Sequence, residues 1–462
     1  MKDLLVKDIV AVAMGKLLCG DENTVCQNFT KDSREVNLGD VYLGIKGERV
    51  NGSTFYKEAL SKGAIGAIVQ EIDITEEDMA EYQDKFIIMV DDVVKALQEI
   101  AKFKRSLVDI PVIGITGSVG KTSTKDLVAS VLAQKYKVLK TQGNYNNEIG
   151  LPLTVLSLKD EEIMVLEMGM SALGEISLLT DIAKPSTGVI TVIGTSHIGE
   201  LGSRENILKA KLEILEGLHP EGKLIFNNDN DLLHTWNQEN TDTHMHVTYG
   251  IENQSDLMAT NINVKENSTE YDVEVEGTTY HITVPIGGNH FVYNSLAAIE
   301  VGLEYGVPME GIIKGIAEFA LTKRRMEVSK NAKGATIIND SYNASYESVK
   351  AALEYIHSIP ANKRIAVLGD VLELGEFSKQ MHEQMGEEVV NNQIDIVVTV
   401  GQEATYMAEK CKEMGMNEAN VYHFDTNQEA VTLLQSIIEK DDVVLVKASN
   451  GMHFDEIVEK II

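Results

Sequence analysis

Residues 112–136, VIGITGSVGKTSTKDLVASVLAQKY, pass from a short apolar β-branched run through a glycine loop into a helical pattern. The run ending at Thr116 reads as a buried parallel strand. A helix is expected to begin near Thr122, with Leu127, Val128, Val131 and Leu132 along one face. A strand, a glycine loop and a helix N-terminus make a phosphate cradle, because the loop amides and the helix end point at the anion. The expected nucleotide-binding residues are Gly117, Ser118, Val119, Gly120, Lys121, Thr122 and Ser123. Lys121 would reach the outer phosphates, and the Thr122 hydroxyl would bind Mg²⁺. The full phosphate-loop pattern needs glycine at position 115, where this chain has Ile115. An ordinary glycine turn carrying a solvated lysine is the competing reading.

Outward from this loop, strands and helices alternate. IMVLEM and TGVITVI read as strands, each followed by a helix. Between about 221 and 286 the pattern turns strand-rich, with KLIFNN, HVTYG, YDVEVE and YHITVPI, and the helix VYNSLAAIEVGLEYG closes it. AEFALTKRRMEV reads as a domain junction. Beyond it ATIIND, RIAVLGD, IDIVVTVG and DVVLVKAS are strands with helix-capable stretches between them. Before the loop, DVYLGIKG and GAIGAIV are strand-like, and the acidic stretch 71–85 reads as surface helix or connector. The expectation is an α/β protein of three domains. Residues 1–85 form a small mixed α/β domain, 86–320 a central P-loop ATPase domain with a parallel sheet, and 321–462 a Rossmann-like doubly wound domain.

Composition agrees with about three domains for 462 residues. The 41 basic and 71 acidic residues give a net charge of −30, which excludes a nucleic-acid coat or a polybasic membrane anchor. A hydrophobic content of 44% is that of a globular chain. The first twenty residues, interrupted by Lys7 and Asp8, read as an amphipathic helix rather than a signal peptide. No apolar run reaches the ~18 residues of a membrane span. Three cysteines without metal-ligand spacing fit a reducing cytoplasm.

Individual residues carry further signals. Glu167 ends the strand IMVLEM, where acidic side chains face the ligand crevice of an α/β sheet, although a solvated strand-end carboxylate has the same signature. In SRENILKAKLEILEGL, Ser203 is the expected N-cap, and Lys211 lies beside the stripe of Leu208, Leu212 and Leu215. A half-buried lysine favours its neutral amine, which reacts with CO₂. A lysine that lays its stem on the core and its ammonium in water is the plainer alternative. Asn294 offers both donor and acceptor, suiting an adenine edge. GNYNNEIGLP presents Asn144, Asn146 and Asn147, which read equally well as an Asn/Gly turn.

GITGSVGKTS resembles the phosphate loop of the Mur ligases, the ATP-dependent amide ligases of peptidoglycan precursor synthesis, whose loop has this shortened form. Further likeness runs through DSREVNLGDVYLGIKGERVNGSTF, GNYNNEIGLPLTVL, LEMGM, GTSHIGELGS, GNHFVYNSLAA, TKRRME, NDSYNASYES, VLGDVLELGEFS and VLVKASNGM, covering nearly the whole chain. These stretches are most similar to the member that joins D-alanyl-D-alanine to UDP-N-acetylmuramoyl-tripeptide. The resemblance implies ATP, two Mg²⁺ and an acyl-phosphate route. It makes Lys121, Glu167, His197 and Lys211 catalytic, with Thr122, Glu167, His197 and a carbamylated Lys211 around magnesium. It gives Arg325 a phosphate role, Asp340 a nucleotide contact and Asn343 a part in ordering the same loop. Asn144, Asn146 and Asn147 would lie against the nucleotide-sugar substrate, together with Ser33, Arg34 and Lys46 of the first domain, with Arg49 a further cation there. The family usually shows His-Asn where this chain has His290-Phe291, leaving Asn294 as the adenine contact. A cytoplasmic monomer is expected. Rival readings are a sister ligase, either another Mur ligase or a folylpolyglutamate synthase, and a non-catalytic nucleotide switch. Retention of Lys121, Thr122, Glu167, His197 and Lys211 together argues against the switch. The residues that would read lysine or diaminopimelate in the tripeptide have no recognisable spacing.

Overall fold

The computed structural model describes residues 3–239 and 242–462. Among the described residues, three large sheets follow one another along the chain, and Leu4–Leu5 pairs separately with Val25–Cys26. The first has five strands in the order Lys16–Cys19, Phe86–Met89, Gly66–Val69, Asp40–Leu43 and Asn28–Thr30, all parallel except the first pair. Phe86–Met89 belongs to this sheet, so the first unit runs past the expected boundary at residue 85. Its run, FIIM, is buried between neighbours that precede it in sequence, and the acidic connector ahead of it conceals that pairing. The N-terminal segment also departs from expectation. Only Val6–Val12 is helical, and it lies between the strands Leu4–Leu5 and Lys16–Cys19. Met14 ends the helix in a left-handed conformation, φ 49°, ahead of Gly15.

The central sheet has nine strands. Val138–Lys140, Ile163–Glu167, Val112–Thr116, Thr187–Ile190, Lys223–Asn227, Met245–Gly250 and Leu257–Val264 are parallel in that spatial order. Thr269–Val275 and Thr278–Val284 then extend it antiparallel, which accounts for the strand-rich pattern near 221–286. Val112–Thr116 is interior and fully buried. Its C-terminal end, with those of Ile163–Glu167 and Thr187–Ile190, opens on the crevice where such sheets bind ligands. The helix after the loop, Lys121–Leu132, is buried on nearly every side rather than on one, because Asn289–Glu304 and Met309–Ala317 also pack on it.

The third sheet orders Glu327–Lys330, Thr336–Asn339, Val443–Lys447, Arg364–Gly369, Ile396–Val400 and Val421–Phe424, parallel apart from its first pair. One apolar cluster runs through the first and central units into one face of this sheet, and separate clusters fill the far faces of the first and third. Among the described residues no helix is long and apolar enough to cross a membrane.

The helix Asn289–Glu304 of the central unit carries a half-buried acid. Burial, then the negative charge of Asp256, pushes the Glu300 carboxyl up to about 7. A carboxyl raised in the folded state contributes stability at low pH that is lost as pH rises between its ordinary value near 4.5 and about 7. Glu300→Gln should therefore raise the melting temperature at pH 8, and the gain should shrink toward zero as the pH falls to 4.5. Calorimetry across that range checks it.

Candidate active site

The loop between Thr116 and Lys121 folds as the glycines permit. Gly117 and Gly120 have φ of 147° and 87°. A Cβ on Gly117 would meet Thr191 Oγ1 at 1.9 Å, and one on Gly120 would meet Asn294 Oδ1 at 2.8 Å. Both positions therefore demand glycine on conformational and steric grounds. Ser118 pins the loop to the strand end, its amide donating to Val192 O at 2.7 Å and its Oγ accepting from the Gly194 amide at 2.9 Å. Among the described residues, the amides of Val119, Gly120, Lys121, Thr122 and Ser123 donate to no protein acceptor outside regular structure. Five converging donors of this kind form an anion cradle. Lys121 Nζ donates to Gly117 O at 2.7 Å and Ser118 O at 3.3 Å, carbonyl partners it can exchange for phosphate oxygens. Burial lowers its ammonium, against the opposing pull of Glu167.

Glu167 and Thr122 are both buried and already joined, Thr122 Oγ1 donating to Glu167 Oε2 at 2.9 Å. The other carboxylate oxygen accepts from Asn146 Nδ2 at 2.8 Å. Arg325 reaches in from the third unit. Its Nη2 donates to Thr122 Oγ1 at 3.0 Å, and its guanidinium stacks over Tyr342 at 4.2 Å. Its buried Nε has no protein partner, so one donor is left for a ligand. Arg324 and Met326 on either side have φ of 65° and 47°, strained backbone that aims this side chain.

His197, φ 64°, precedes the short helix Ile198–Leu201. Its Nδ1 lies 2.8 Å from Glu373 Oε2 of the third unit, and the imidazole holds the Glu373 carboxyl below its ordinary value. Ser203 caps Arg204–Leu212 as expected. Lys211 is more buried than its spacing implies. It sits on the inward face with Ile207 and Ala210, only 1% exposed. Burial, reinforced by the charge of Lys121, drives its amine well below the usual lysine range. No carboxylate lies within ion-pair distance of it among the described residues.

Asn294 is buried and accepts from Thr124 Oγ1 at 3.2 Å. It shares a cavity with the loop, His290, Phe291, Arg325, Asp340 and Lys447. Burial pushes His290 down to about 4, so its ring is uncharged at neutral pH. Asp340 is fully engaged, with Oδ1 accepting from the Met326 amide at 3.1 Å and Oδ2 from Lys447 Nζ at 2.5 Å. The same ammonium donates to Asn343 O at 3.0 Å.

A second cleft, about 750 Å³, opens on the other side of Lys121, Ser118 and Arg325, lined by Glu167, His197, Glu373, Asn144 and Asn450. The two cavities meet at Lys121 and Arg325, as a phosphoryl-transfer site requires. Asn147 lines this cleft, but its side chain caps the helix Gly150–Leu156, accepting from the Gly150 amide at 2.9 Å. Ser33, Arg34 and Lys46 stand apart in the first unit. Ser33 donates to Glu58, Arg34 pairs with Asp32, and Lys46 pairs with Glu71. Glu373 and Lys447 were missed by sequence reasoning. Lys447 carries the same signal as Glu167, a charge ending a buried strand. Glu373 has no local signal.

A metal fits this donor set. Among the described residues no three His, Cys, Asp or Glu side chains cluster as a complete cation cage. Magnesium needs no such cage, since it takes one or two carboxylates and completes its shell with phosphates and water. Thr122 with Glu167 supplies such a partial set beside the anion cradle.

Models of the Mur ligase family match along most of the chain. The "Mur ligase family, catalytic domain" matches residues 27–105, the "Mur ligase middle domain" 115–302 and the "Mur ligase, glutamate ligase domain" 324–450. The UDP-N-acetylmuramoyl-tripeptide–D-alanyl-D-alanine ligase of Bacillus subtilis is 38% identical over 461 residues, covering 99% of this chain and 98% of its own. Among solved structures, MurF from Acinetobacter baumannii has a TM-score of 0.88 at 28% identity, covering 99% of this chain and 98% of its own. MurF from Thermotoga maritima, in complex with ADP, has a TM-score of 0.81 at 30% identity, covering 94% and 96%.

Proposed function

The chain belongs to the Mur ligase family, and from that premise we infer that it joins D-alanyl-D-alanine to UDP-N-acetylmuramoyl-tripeptide with hydrolysis of ATP to ADP and phosphate. The observation that carries this reading is the meeting of the nucleotide cavity and the wide cleft at Lys121 and Arg325. ATP phosphorylates the tripeptide carboxylate. The dipeptide amine then attacks the acyl phosphate, and phosphate leaves as the amide forms.

This chain's residues position and neutralise. The amides of 119–123 and Lys121 hold the phosphates. Arg325 presents a free donor across the wall between the cavities, where charge builds up as the phosphoryl group moves. The neutral His290, Phe291 and Asn294 form the base-binding end. Thr122 and Glu167 would hold Mg²⁺, with His197 and a carbamylated Lys211 at a second ion. Bound metal would offset the negative charge of phosphate and carboxylate. Asp340 and Lys447 brace the third unit's loop against the nucleotide. Docking of the third unit completes the site and excludes water from a labile intermediate.

The first unit takes the nucleotide-sugar, with Ser33, Arg34 and Lys46 toward the uridine diphosphate, the central unit takes ATP, and the third closes over both. Asn144 and Asn146 face the acyl substrate, Asn146 also steering Glu167. ATP consumption and three free cysteines support a cytoplasmic setting.

For Lys211, burial without a carboxylate partner supports carbamylation. The neutral amine adds to CO₂, forming an N–C bond and releasing one proton, and leaves a carboxylate in its place. Lys211→Ala should lose activity by orders of magnitude, short carboxylic acids should restore part of it, and ¹³CO₂ should give a carbamate resonance in the parent alone. No rescue and no adduct would refute the modification. Phosphate release tests the wider reading. It should require the UDP-tripeptide and D-alanyl-D-alanine together. Release with a folate and glutamate instead would mark a folylpolyglutamate synthase.

A further inference from the structure

Among the described residues, Glu373 is the one carboxylate of the third unit placed on a candidate metal ligand of the central unit. Its backbone is left-handed, φ 65°, and so is that of His197, φ 64°, which it faces. Two strained non-glycine residues meeting across a domain interface are held there by their surroundings. On the third-unit side, residues 370–375 are pinned at several points. Asp370 accepts from the amides of Gln402 and Ala404 at 3.1 and 2.7 Å. The Val371 amide donates to Nε2 of the buried His382 at 3.0 Å, and the Leu372 amide to Ser449 Oγ at 2.9 Å. On the opposite side the Gly199 amide donates to Glu373 O at 3.2 Å. Gly199 has no room for a side chain, since a Cβ would meet the Gly375 amide nitrogen at 2.7 Å. A rigid loop thus docks on the turn after His197 and places Oε2 2.8 Å from Nδ1. Nδ1 makes no aligned hydrogen bond in this arrangement, so the carboxylate acts on it at ion-pair distance, and a small rotation would turn the contact into the bond that fixes Nε2 as the basic nitrogen.

We propose that Glu373 is a positioning residue that orients His197 as a metal ligand, and that it does so only when the third unit is docked. The second metal subsite is then assembled from two domains, so ion binding and domain closure favour each other. This rests on the reading of His197 as a ligand in the proposed function. Glu373 itself is a neighbour of the ligand.

Mn²⁺ binding followed by electron paramagnetic resonance tests this on the full chain with a non-hydrolysable ATP analogue. The parent should bind two Mn²⁺. Glu373→Ala should keep the first, at Thr122 and Glu167, and weaken the second about 10- to 100-fold, the usual effect of removing such a partner. Glu373→Gln, whose amide oxygen can still accept from Nδ1–H, should fall between the two. Retention of the first site reports that the variant is folded. Two sites of parental affinity in Glu373→Ala would overturn the proposal while leaving the metal reading intact. His197→Ala separates the two failures. If that variant also keeps both sites, or the parent has only one, the reading of His197 as a ligand is wrong and the proposal falls with it.

Discussion

Lys447→Met should unfold the third unit about 10 °C earlier than the parent. Lys447 is 2% exposed and ends the interior strand Val443–Lys447, so its ammonium cannot move to water. It neutralises Asp340 at 2.5 Å and satisfies Asn343 O at 3.0 Å. Methionine keeps the stem but strands a buried carboxylate. Removing one partner of a buried ion pair costs about 3–5 kcal/mol, and a domain of this size loses about 2–4 °C per kcal/mol. Asp340→Asn in the same chain removes the orphaned charge and should restore much of the melting temperature. Nucleotide affinity should stay low in both, because Asp340 and Met326, on two loops joined by their hydrogen bond, both line the nucleotide cavity. Calorimetry and titration with an ATP analogue separate the two effects. An unchanged melting temperature in Lys447→Met would show that the pair does not hold the loop.

Arg325→Ala should lower kcat by about 10³-fold, the scale of an arginine that stabilises a phosphoryl-transfer transition state, and leave ATP affinity within a few-fold of the parent. The asymmetry follows from where Arg325 stands. It comes from the third unit, touches Thr122 at 3.0 Å and keeps a buried Nε unsatisfied at the junction of the cavities. Its contacts therefore belong to the docked state and the reacting phosphoryl group rather than to the nucleotide at rest. Arg325→Lys should rescue little. A lysine lacks the planar fork that both stacks on Tyr342 and reaches Thr122. Steady-state kinetics with a separate nucleotide titration checks this. A large loss of ATP affinity with kcat preserved would assign Arg325 to ground-state binding instead.

The phosphate loop was legible because its features are local: a β-branched strand, two glycines at positive φ, then the helix. Glu167 was legible for a related reason, since a charge ending a buried strand has few places to point but the crevice. Lys211 was only partly so. Helical spacing placed it at the edge of the buried face, but how deeply it is buried depends on which helices pack there, and that is a tertiary fact. Asn147 shows the limit of composition, because a cap and a substrate contact need the same side chain. Strand Phe86–Met89 went unread just past the expected boundary at residue 85, because its pairing partners lie behind it across an acidic connector. Glu373 could not be found from spacing at all. It meets His197 only because two units dock, and docking leaves no periodicity in either segment.

The net charge of −30 stands beside substrates that are themselves polyanions. Both hold because the cations are local. Lys121, Arg325 and Lys447 gather at the nucleotide cavity against one carboxylate, Asp340, whereas the adjoining cleft carries Glu148, Glu167, Glu175 and Glu373, whose charge bound metal would offset.

The most direct measurement follows oxygen. UDP-N-acetylmuramoyl-tripeptide, prepared in both its lysine and diaminopimelate forms with ¹⁸O in the terminal carboxylate, is incubated with ATP, Mg²⁺ and D-alanyl-D-alanine. Mass spectrometry should find the UDP-pentapeptide only when all components are present, with one ¹⁸O carried into the released phosphate. Failure of both tripeptides to yield a pentapeptide would contradict the assigned reaction, and pentapeptide with unlabelled phosphate would contradict the acyl-phosphate route.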